Sequence, residues 1–399
     1  MQVVVNDKKK RSSGFLGQGK PSILTLVWGA SSLVLLIQLY FWNLFKTERS
    51  LQVQLGPYDP VKCSEVLYKQ LHNLTFDPNG GKLHATQVIH TRGQLVNPHK
   101  FWISLHNKKF DVSRWVIMDK DDYYELSLTD AFIEILLAQD DNDKQQPLRM
   151  LDVGANIGFF TLLAASIQPP IIVDSFEPNP KNQLRFCESL RLNEWYSEFD
   201  TTAINMHTTI STTTTTGKMS SSQVNLYPYG VGKQEAMLEF EEHKTNPGQG
   251  HFIEKRDKRR KDRETDMQVI TLDNFCKSRQ WLTPDGSAAT TAPKIVILKV
   301  DVEGLDSSVM LGAQQLLHAH IVQNVFLEVS ARKHLAVPNR KALRLLCDAG
   351  YKLKSYGGWI GPNLDFEWKE KDDATVVIHK IMELTEKNHE QQLNLWWTL

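Results

Sequence analysis

The sequence predicts an α/β fold built on a doubly wound, mostly parallel sheet, and three observations predict it. Apolar segments of strand length alternate with segments of helical periodicity between residues 147 and 380. A turn at residues 154–158, with glycine at both ends, joins one such strand to a helix. Residues 294–300 are nearly all apolar, as expected for a strand covered on both faces. Two closing strands, at residues 351–356 and 374–379, are predicted to form an antiparallel hairpin at one edge.

The composition restricts the classes of partner. The 399 residues suffice for two or three domains, and 46 basic residues balance 46 acidic ones. This balance gives no reason to expect nucleic acid as a partner. The four cysteines are far apart, and no pair has the spacing of a metal or redox site. No metal site is therefore predicted, while a disulfide stays open as an alternative to four buried thiols.

The N-terminal region predicts a membrane anchor. Residues 1–20 are polar and basic, and residues 21–45 carry no charge and are long enough to span a bilayer as a helix. Because more basic residues precede this segment than follow it, we expect a type II signal-anchor with its N-terminus in the cytosol. A cleaved signal peptide and a buried helix are the alternatives. Residues 46–113 have the turn signals of a stem or of an elaborated N-terminal region, and they contain an N-glycosylation triplet at Asn73.

The rest of the chain divides into a predicted domain, residues 114–380, and a C-terminal tail, residues 381–399, to which no role is assigned. The domain contains a threonine-rich tract at residues 208–216 and a charged run at residues 254–266. Both are interpreted as surface insertions. A polyanion-binding patch is the alternative for the charged run, although its acidic residues would weaken the field.

The turn after the first core strand indicates which ligand is bound. Asp152 ends the strand, and Gly154 and Gly158 allow a close approach of the backbone to a ligand. Asn156 stands where a dinucleotide-binding loop has the glycine that faces the pyrophosphate, whereas Glu177 is placed to accept hydrogen bonds from a ribose. The turn therefore suits a ligand with a ribose but no pyrophosphate. S-adenosylmethionine has a ribose and a carboxylate and no phosphate, so it is favoured over a dinucleotide. A purely structural turn is the alternative.

Two carboxylates follow the strand at residues 294–300. Asp301 and Glu303 are expected at the carboxyl edge of the sheet, beside the glycine turn. They are candidates for catalysis, and capping of the loop is the alternative reading. His251, in a glycine-containing loop, is a further candidate for a general base, or an ordinary loop histidine.

Several short motifs together resemble the FkbM-type methyltransferases over residues 147–380. They are Asp-Val-Gly-Ala-Asn-Ile-Gly (152–158), Phe-Glu-Pro (176–178), Thr-Leu-Asp (271–273), Lys-Val-Asp-Val-Glu-Gly (299–304), Leu-Gly-Ala (311–313) and Phe-Leu-Glu (326–328). The resemblance implies a class I methyltransferase (Rossmann-like) fold and S-adenosylmethionine as cofactor. It also implies methylation of a hydroxyl group on a glycan or small molecule. The sequence departs from the family at Asp306, a shorter acid than usual, and in its two insertions.

This resemblance implies a role for each candidate residue. Gly154, Asn156 and Gly158 would hold the methionine end of the cofactor, and Glu177 its ribose. Asp152 and Asp301 are also expected to contact the cofactor. Asp301 or Glu303 would lie near the methyl group or the acceptor, with His251 as a third candidate. Two other functions remain as alternatives: an NAD-dependent oxidoreductase, which Asn156 disfavours, and a membrane-anchored protein that keeps the fold without catalysis. The anchor implies an endoplasmic reticulum or Golgi location with a luminal catalytic domain.

Overall fold

The computed structural model of the protein describes residues 58–63, 66–67, 85–88, 101–106, 125–139, 148–167, 170–193, 195, 222–243, 250–253, 266–330, 332–357, 364–365, 373–387 and 392–399. The predicted cytosolic tail and membrane span, residues 1–45, lie outside this part of the chain. Within it, every helix is too short or too polar to cross a bilayer.

Strands and helices alternate along the described chain. The strands are β1 (Ala85–Val88), β2 (Trp102–Ser104), β3 (Leu148–Val153), β4 (Ile171–Phe176), β5 (Gln223–Tyr227), β6 (Gly230–Val231), β7 (Ala236–Glu241), β8 (His251–Ile253), β9 (Asp266–Ile270), β10 (Ile295–Val300), β11 (Val322–Ser330), β12 (Lys352–Gly357), β13 (Leu364–Asp365) and β14 (Gln392–Thr398). The helices are α1 (Leu126–Leu137), α2 (Phe159–Ser166), α3 (Pro180–Leu192), α4 (Leu272–Ser278), α5 (Asp306–Leu311), α6 (Gln314–His318), α7 (Ala336–Asp348) and α8 (Ala374–Lys387).

An eight-stranded sheet forms the centre of the fold, in the order β13-β12-β14-β11-β10-β3-β4-β5. Strands β5, β4, β3, β10 and β11 are parallel, and β14 is antiparallel to both of its neighbours. All six residues of β10 are buried, because helices cover both faces. Phe275 and Leu343 belong to the apolar cluster on one side, and Phe132 and Phe186 to the cluster on the other. The predicted doubly wound, mostly parallel sheet is confirmed.

The prediction for the C-terminal edge was wrong in detail. Residues 374–379 begin helix α8 instead of forming a strand, and the reversed strand is β14. The buried residues Val377, Ile378, Ile381 and Met382 follow a helical spacing, which outweighs the strand propensity of β-branched residues. The predicted tail therefore belongs to the fold, since residues 381–387 complete α8 and residues 392–398 form a strand between β11 and β12.

Part of the predicted stem or N-terminal region packs against the domain. The Val61 backbone N–H donates to the Leu226 carbonyl of β5 at 2.6 Å, and Ile103 of β2 is fully buried. Cys63 and Cys187 form a disulfide that ties this region to α3. The segments around Val61 and Ile103 are short and have no helical or strand periodicity. The sequence alone therefore could not predict how they pack.

Removing this disulfide is expected to lower the free energy of unfolding by about 3 to 5 kcal/mol, because it joins cysteines 124 positions apart. Urea unfolding of the wild type with and without dithiothreitol measures the loss. The double variant Cys63→Ser/Cys187→Ser is the control, since the reductant should leave its midpoint unchanged. Equal midpoints for oxidised and reduced wild type would contradict the prediction.

A smaller, four-stranded sheet has the order β6-β9-β7-β8. Phe240 of β7 and Phe252 of β8 pack edge to face, with ring centroids 5.2 Å apart. Gly250 and Gly230 leave room for these rings, because a side chain at Gly250 would overlap Phe240 and one at Gly230 would lie 2.5 Å from Phe252. This sheet therefore presents an aromatic surface formed by Phe240 and Phe252.

Candidate cofactor and active site

A cleft that is partly open to solvent lies where β3, β4 and β10 end. The turn at residues 154–158 and the residues after β4 form one wall, and the loop after β10 forms another. The small sheet supplies a third wall through the residues Gly230, Val231, Phe240, Gly250 and Phe252. The carboxyl edge of a parallel sheet is where ligands bind in doubly wound folds, so this cleft is the candidate site.

The turn after β3 has a backbone that requires glycine. Gly154 and Gly158 have φ angles of +82° and +92°, in the left-handed region. A Cβ atom on Gly154 would overlap the carbonyl oxygen of Asp301, and one on Gly158 would lie 2.6 Å from the Phe186 ring. Between them, Asn156 adopts a φ of 53°. The turn therefore lies directly against the end of β10, and the predicted closeness of the turn to Asp301 is confirmed.

Glu177 follows β4 and fixes this turn. Its Oε2 accepts a hydrogen bond from the Asn156 backbone N–H at 2.8 Å, and its Oε1 accepts one from the Asn179 N–H at 2.8 Å. The Asn182 side chain also donates to Oε1, at 3.3 Å. Burial raises the pKa of Glu177 to about 7, although these donors favour the ionised form. Glu177 lines the cleft, and its binding of a ribose stays a prediction.

Asp152 is placed differently from the expectation. Its side chain is only 1% exposed, and it is absent from the residues that line the cleft. Thr161 donates a hydrogen bond to Oδ2 at 2.7 Å, while Oδ1 has no partner among the described residues. Burial raises the pKa of this carboxyl group. Asp152 thus links the end of β3 to helix α2, and its direct contact with a cofactor stays a prediction.

Asp301 forms an ion pair that the sequence did not indicate. Lys299 Nζ lies 3.0 Å from Asp301 Oδ2 and 5.1 Å from the centre of the Phe160 ring, and both charged residues line the cleft. Burial alone would lower the pKa of Lys299, but the carboxylates of Asp301 and Asp152 raise it overall. A fixed ammonium group therefore holds Asp301, whose side chain remains 32% exposed.

The loop after Asp301 is held by a second carboxylate. Asp306 Oδ1 accepts from the Val302 N–H at 2.8 Å, and Oδ2 accepts from the Gly304 N–H at 3.0 Å. Burial, followed by the charge of Asp301, raises the pKa of Asp306 to about 7. Glu303 has a φ of 56° and lines the cleft. The loop therefore places both predicted catalytic carboxylates, Asp301 and Glu303, on the same wall, with Asp306 as their structural support.

His251 is the first residue of β8, and its backbone pairs with Glu241. Its side chain lies outside the described part of the structure, so its role as a base stays a prediction. Its neighbours Gly250 and Phe252 line the cleft. Among the described residues, no three potential metal-ligating side chains are grouped as they would be around an ion.

Comparison with known families identifies the family of the protein. Residues 152–353, about half of the chain, match the family model of the methyltransferase FkbM domain. The protein belongs to the FkbM methyltransferase family. The strand order with its reversed β14 is that of class I methyltransferases, as the resemblance implied. The family supports a methyltransferase and does not support the alternative of an NAD-dependent oxidoreductase.

Two solved structures are similar to this FkbM methyltransferase. One is a precorrin-6y C5,15-methyltransferase from Geobacter metallireducens GS-15, with 11% identity over 74% of this chain and 98% of that chain, and a TM-score of 0.31. The other is a methyltransferase FkbM from Methylobacillus flagellatus KT, with 14% identity over 62% of this chain and 52% of that chain, and a TM-score of 0.30. A comparison with curated protein sequences gave no match.

The methyl donor of this family is S-adenosylmethionine, and the cleft fits it. Gly154 has no side chain, so the turn packs directly against the Asp301 carbonyl, and both residues line the cleft. Asn156 lines the cleft, and its buried Oδ1 has no hydrogen-bond partner among the described residues, so it is an acceptor available to an ammonium group. Asp301 and Glu303 add negative charge suited to a cationic ligand. Asn156 would therefore face the ammonium group at the methionine end of the cofactor, and the two carboxylates would lie nearer its positively charged sulfur.

Proposed function

We propose that the protein transfers a methyl group from S-adenosylmethionine to a hydroxyl group of a glycan or small molecule. The observation that carries this proposal is the position of Asp301 and Glu303 on the wall of the same cleft that the glycine turn lines. When bound, the cofactor supplies a methyl group on a positively charged sulfur and leaves as S-adenosylhomocysteine. The chain has to orient the acceptor oxygen and take up its proton.

Asp301 is the preferred group for proton uptake. Its ion pair with Lys299 holds the carboxylate at one position, and its side chain is 32% exposed, so an acceptor hydroxyl can reach it. Glu303, next but one along the same loop, also lines the cleft and would accept a hydrogen bond from the acceptor. Phe240 and Phe252, on the small sheet, offer an apolar surface against which a sugar ring or other small molecule could pack.

Methyl transfer from radiolabelled S-adenosylmethionine tests this function. Glycan, lipid and small-molecule fractions from cells that lack the protein serve as acceptors, because their target hydroxyl groups are unmethylated. Wild-type protein should label one fraction through an oxygen-linked methyl group. Binding of the cofactor without transfer to any fraction would instead support the non-catalytic alternative.

Asp301→Asn is expected to lower the rate of this transfer about 100-fold, since the amide cannot accept the proton. The rate is measured on the labelled fraction at saturating cofactor. Asp348→Asn is the matched control, because Asp348 is an exposed carboxylate at the end of α7 that does not line the cleft. A rate equal to that of the control would exclude Asp301 as the base and leave Glu303 and His251.

The proposal extends to location. We place the predicted anchor, residues 21–45, in the endoplasmic reticulum or Golgi membrane, with the catalytic domain in the lumen. The Cys63–Cys187 disulfide supports this location, because disulfides persist mainly in oxidising compartments. Protease treatment of intact microsomes tests it: the domain should be protected until detergent is added, and digestion without detergent would contradict the assignment.

A further inference from the structure

The segment at residues 101–106 lies outside the region that matches the family model, yet it is fastened along helix α3. The Trp102 N–H donates to Asn193 Oδ1 at 2.8 Å, and Asn193 Nδ2 donates to the Trp102 carbonyl at 2.7 Å. The Ser104 N–H donates to Ser189 Oγ at 2.8 Å. These contacts hold the segment in register with the helix, so its last described residue, His106, has a defined position near the start of α3.

His106 is connected to the cofactor cleft by two hydrogen bonds. Its Nε2 lies 2.9 Å from Asn182 Oδ1, and Asn182 Nδ2 lies 3.3 Å from Glu177 Oε1. Asn182 itself lines the cleft. Because Glu177 Oε2 accepts from the Asn156 N–H, the chain of contacts runs from the N-terminal segment to the middle of the glycine turn.

The direction of each hydrogen bond follows from the chemistry of the groups. The two oxygens of Glu177 accept from backbone N–H groups, so Asn182 has to face Glu177 with its NH₂ group. The amide oxygen of Asn182 then faces His106, and only an Nε2 atom that carries a proton can donate to it. Burial lowers the pKa of His106 to about 4, so near neutral pH the donor is a neutral imidazole.

We infer that His106 is a positioning residue of the S-adenosylmethionine site. Its Nε2–H fixes the amide of Asn182, and this amide holds the Glu177 carboxylate against the glycine turn. The region that precedes the family domain is thus part of the cofactor site. This inference rests on the proposed function for its ligand, but its test needs no acceptor.

The test is titration calorimetry of the full chain with S-adenosylhomocysteine. In His106→Gln, the side-chain Nε2 reaches about as far from the backbone as the histidine Nε2 and can donate to Asn182, so the dissociation constant should stay within about twofold of wild type. In His106→Asn, the amide is one methylene shorter and cannot reach, so the dissociation constant should rise about fivefold or more, the effect of one lost hydrogen bond. Both replacements are uncharged amides, so they form a matched pair.

Urea unfolding of both variants shows that they are folded at the titration temperature. Equal affinity of His106→Gln and His106→Asn, whether as tight as wild type or weaker, would overturn the positioning role, because reach would then not matter. Wild-type protein that fails to bind S-adenosylhomocysteine would overturn the proposed function itself. The two failures are distinguishable, since the first requires binding by the wild type.

Discussion

Gly154→Ala should abolish binding of S-adenosylmethionine and lower the free energy of unfolding by about 2 to 5 kcal/mol. Two costs add at this position. A non-glycine residue is strained at a φ of +82°, and the new Cβ atom would overlap the carbonyl oxygen of Asp301. Relief of the overlap requires the turn and the end of β10 to move apart, which would displace the groups that line the cleft.

Gly350→Ala is the matched control for this substitution. Gly350 has a φ of +84°, and a Cβ atom there would have no atom within 4 Å. It should therefore show only the cost of the left-handed backbone, about 1 to 2 kcal/mol, with unchanged cofactor affinity. Urea unfolding and calorimetric titration measure both quantities. Equal destabilisation in the two variants, or normal cofactor binding by Gly154→Ala, would show that the turn is not packed against Asp301.

Glu177→Ala is likewise expected to abolish cofactor binding, and Glu177→Gln to weaken it at least tenfold. Each carboxylate oxygen accepts from a backbone N–H group, one of Asn156 and one of Asn179. Alanine leaves both donors without this acceptor. Glutamine retains one oxygen and directs an NH₂ group at the other donor, so one contact becomes a repulsion. Titration calorimetry with S-adenosylmethionine gives both affinities, and unchanged affinity in Glu177→Ala would exclude Glu177 from the site.

The Glu177→Gln variant should also differ from wild type in its pH dependence. Burial raises the pKa of Glu177 from 4.5 to about 7 in the folded state, so between these values the folded chain binds the proton more tightly than the unfolded chain. The contribution of Glu177 to stability is then present below pH 4.5 and falls as pH rises to about 7, by about 3 kcal/mol at most. The raised pKa of Asp306 changes stability with pH in the same direction, but this contribution is the same in the wild type and in Glu177→Gln. Parallel stability curves for the two proteins would contradict this origin.

The sequence predicted the positions of the glycine turn and of Glu177 because their signals are local. The spacing of Gly154, Gly158 and Glu177 follows from a single strand–turn–helix–strand unit, in which the pattern and the geometry have the same origin. The nearly all-apolar sequence of β10 likewise predicted a central strand. Because Asp301 directly follows this strand, the sequence also predicted its position at the carboxyl edge of the sheet.

Contacts between distant parts of the chain were not predictable in the same way. Trp397 is fully buried in β14, but two adjacent tryptophans near the end of a chain do not indicate which strands flank them. The Cys63–Cys187 pair and the contact of His106 with Asn182 join segments 124 and 76 positions apart, without any periodic pattern. The pairing of Lys299 with Asp301 was not predictable either, because it depends on the conformation of the loop after β10.

Calorimetric titration of the full-length wild type with S-adenosylmethionine tests the central claim, that the cleft at the ends of β3, β4 and β10 is a sulfonium-cofactor site. The account predicts one binding site per chain, competition by S-adenosylhomocysteine and no competition by NAD. Absence of binding at millimolar cofactor, or displacement of the cofactor by NAD, would contradict it.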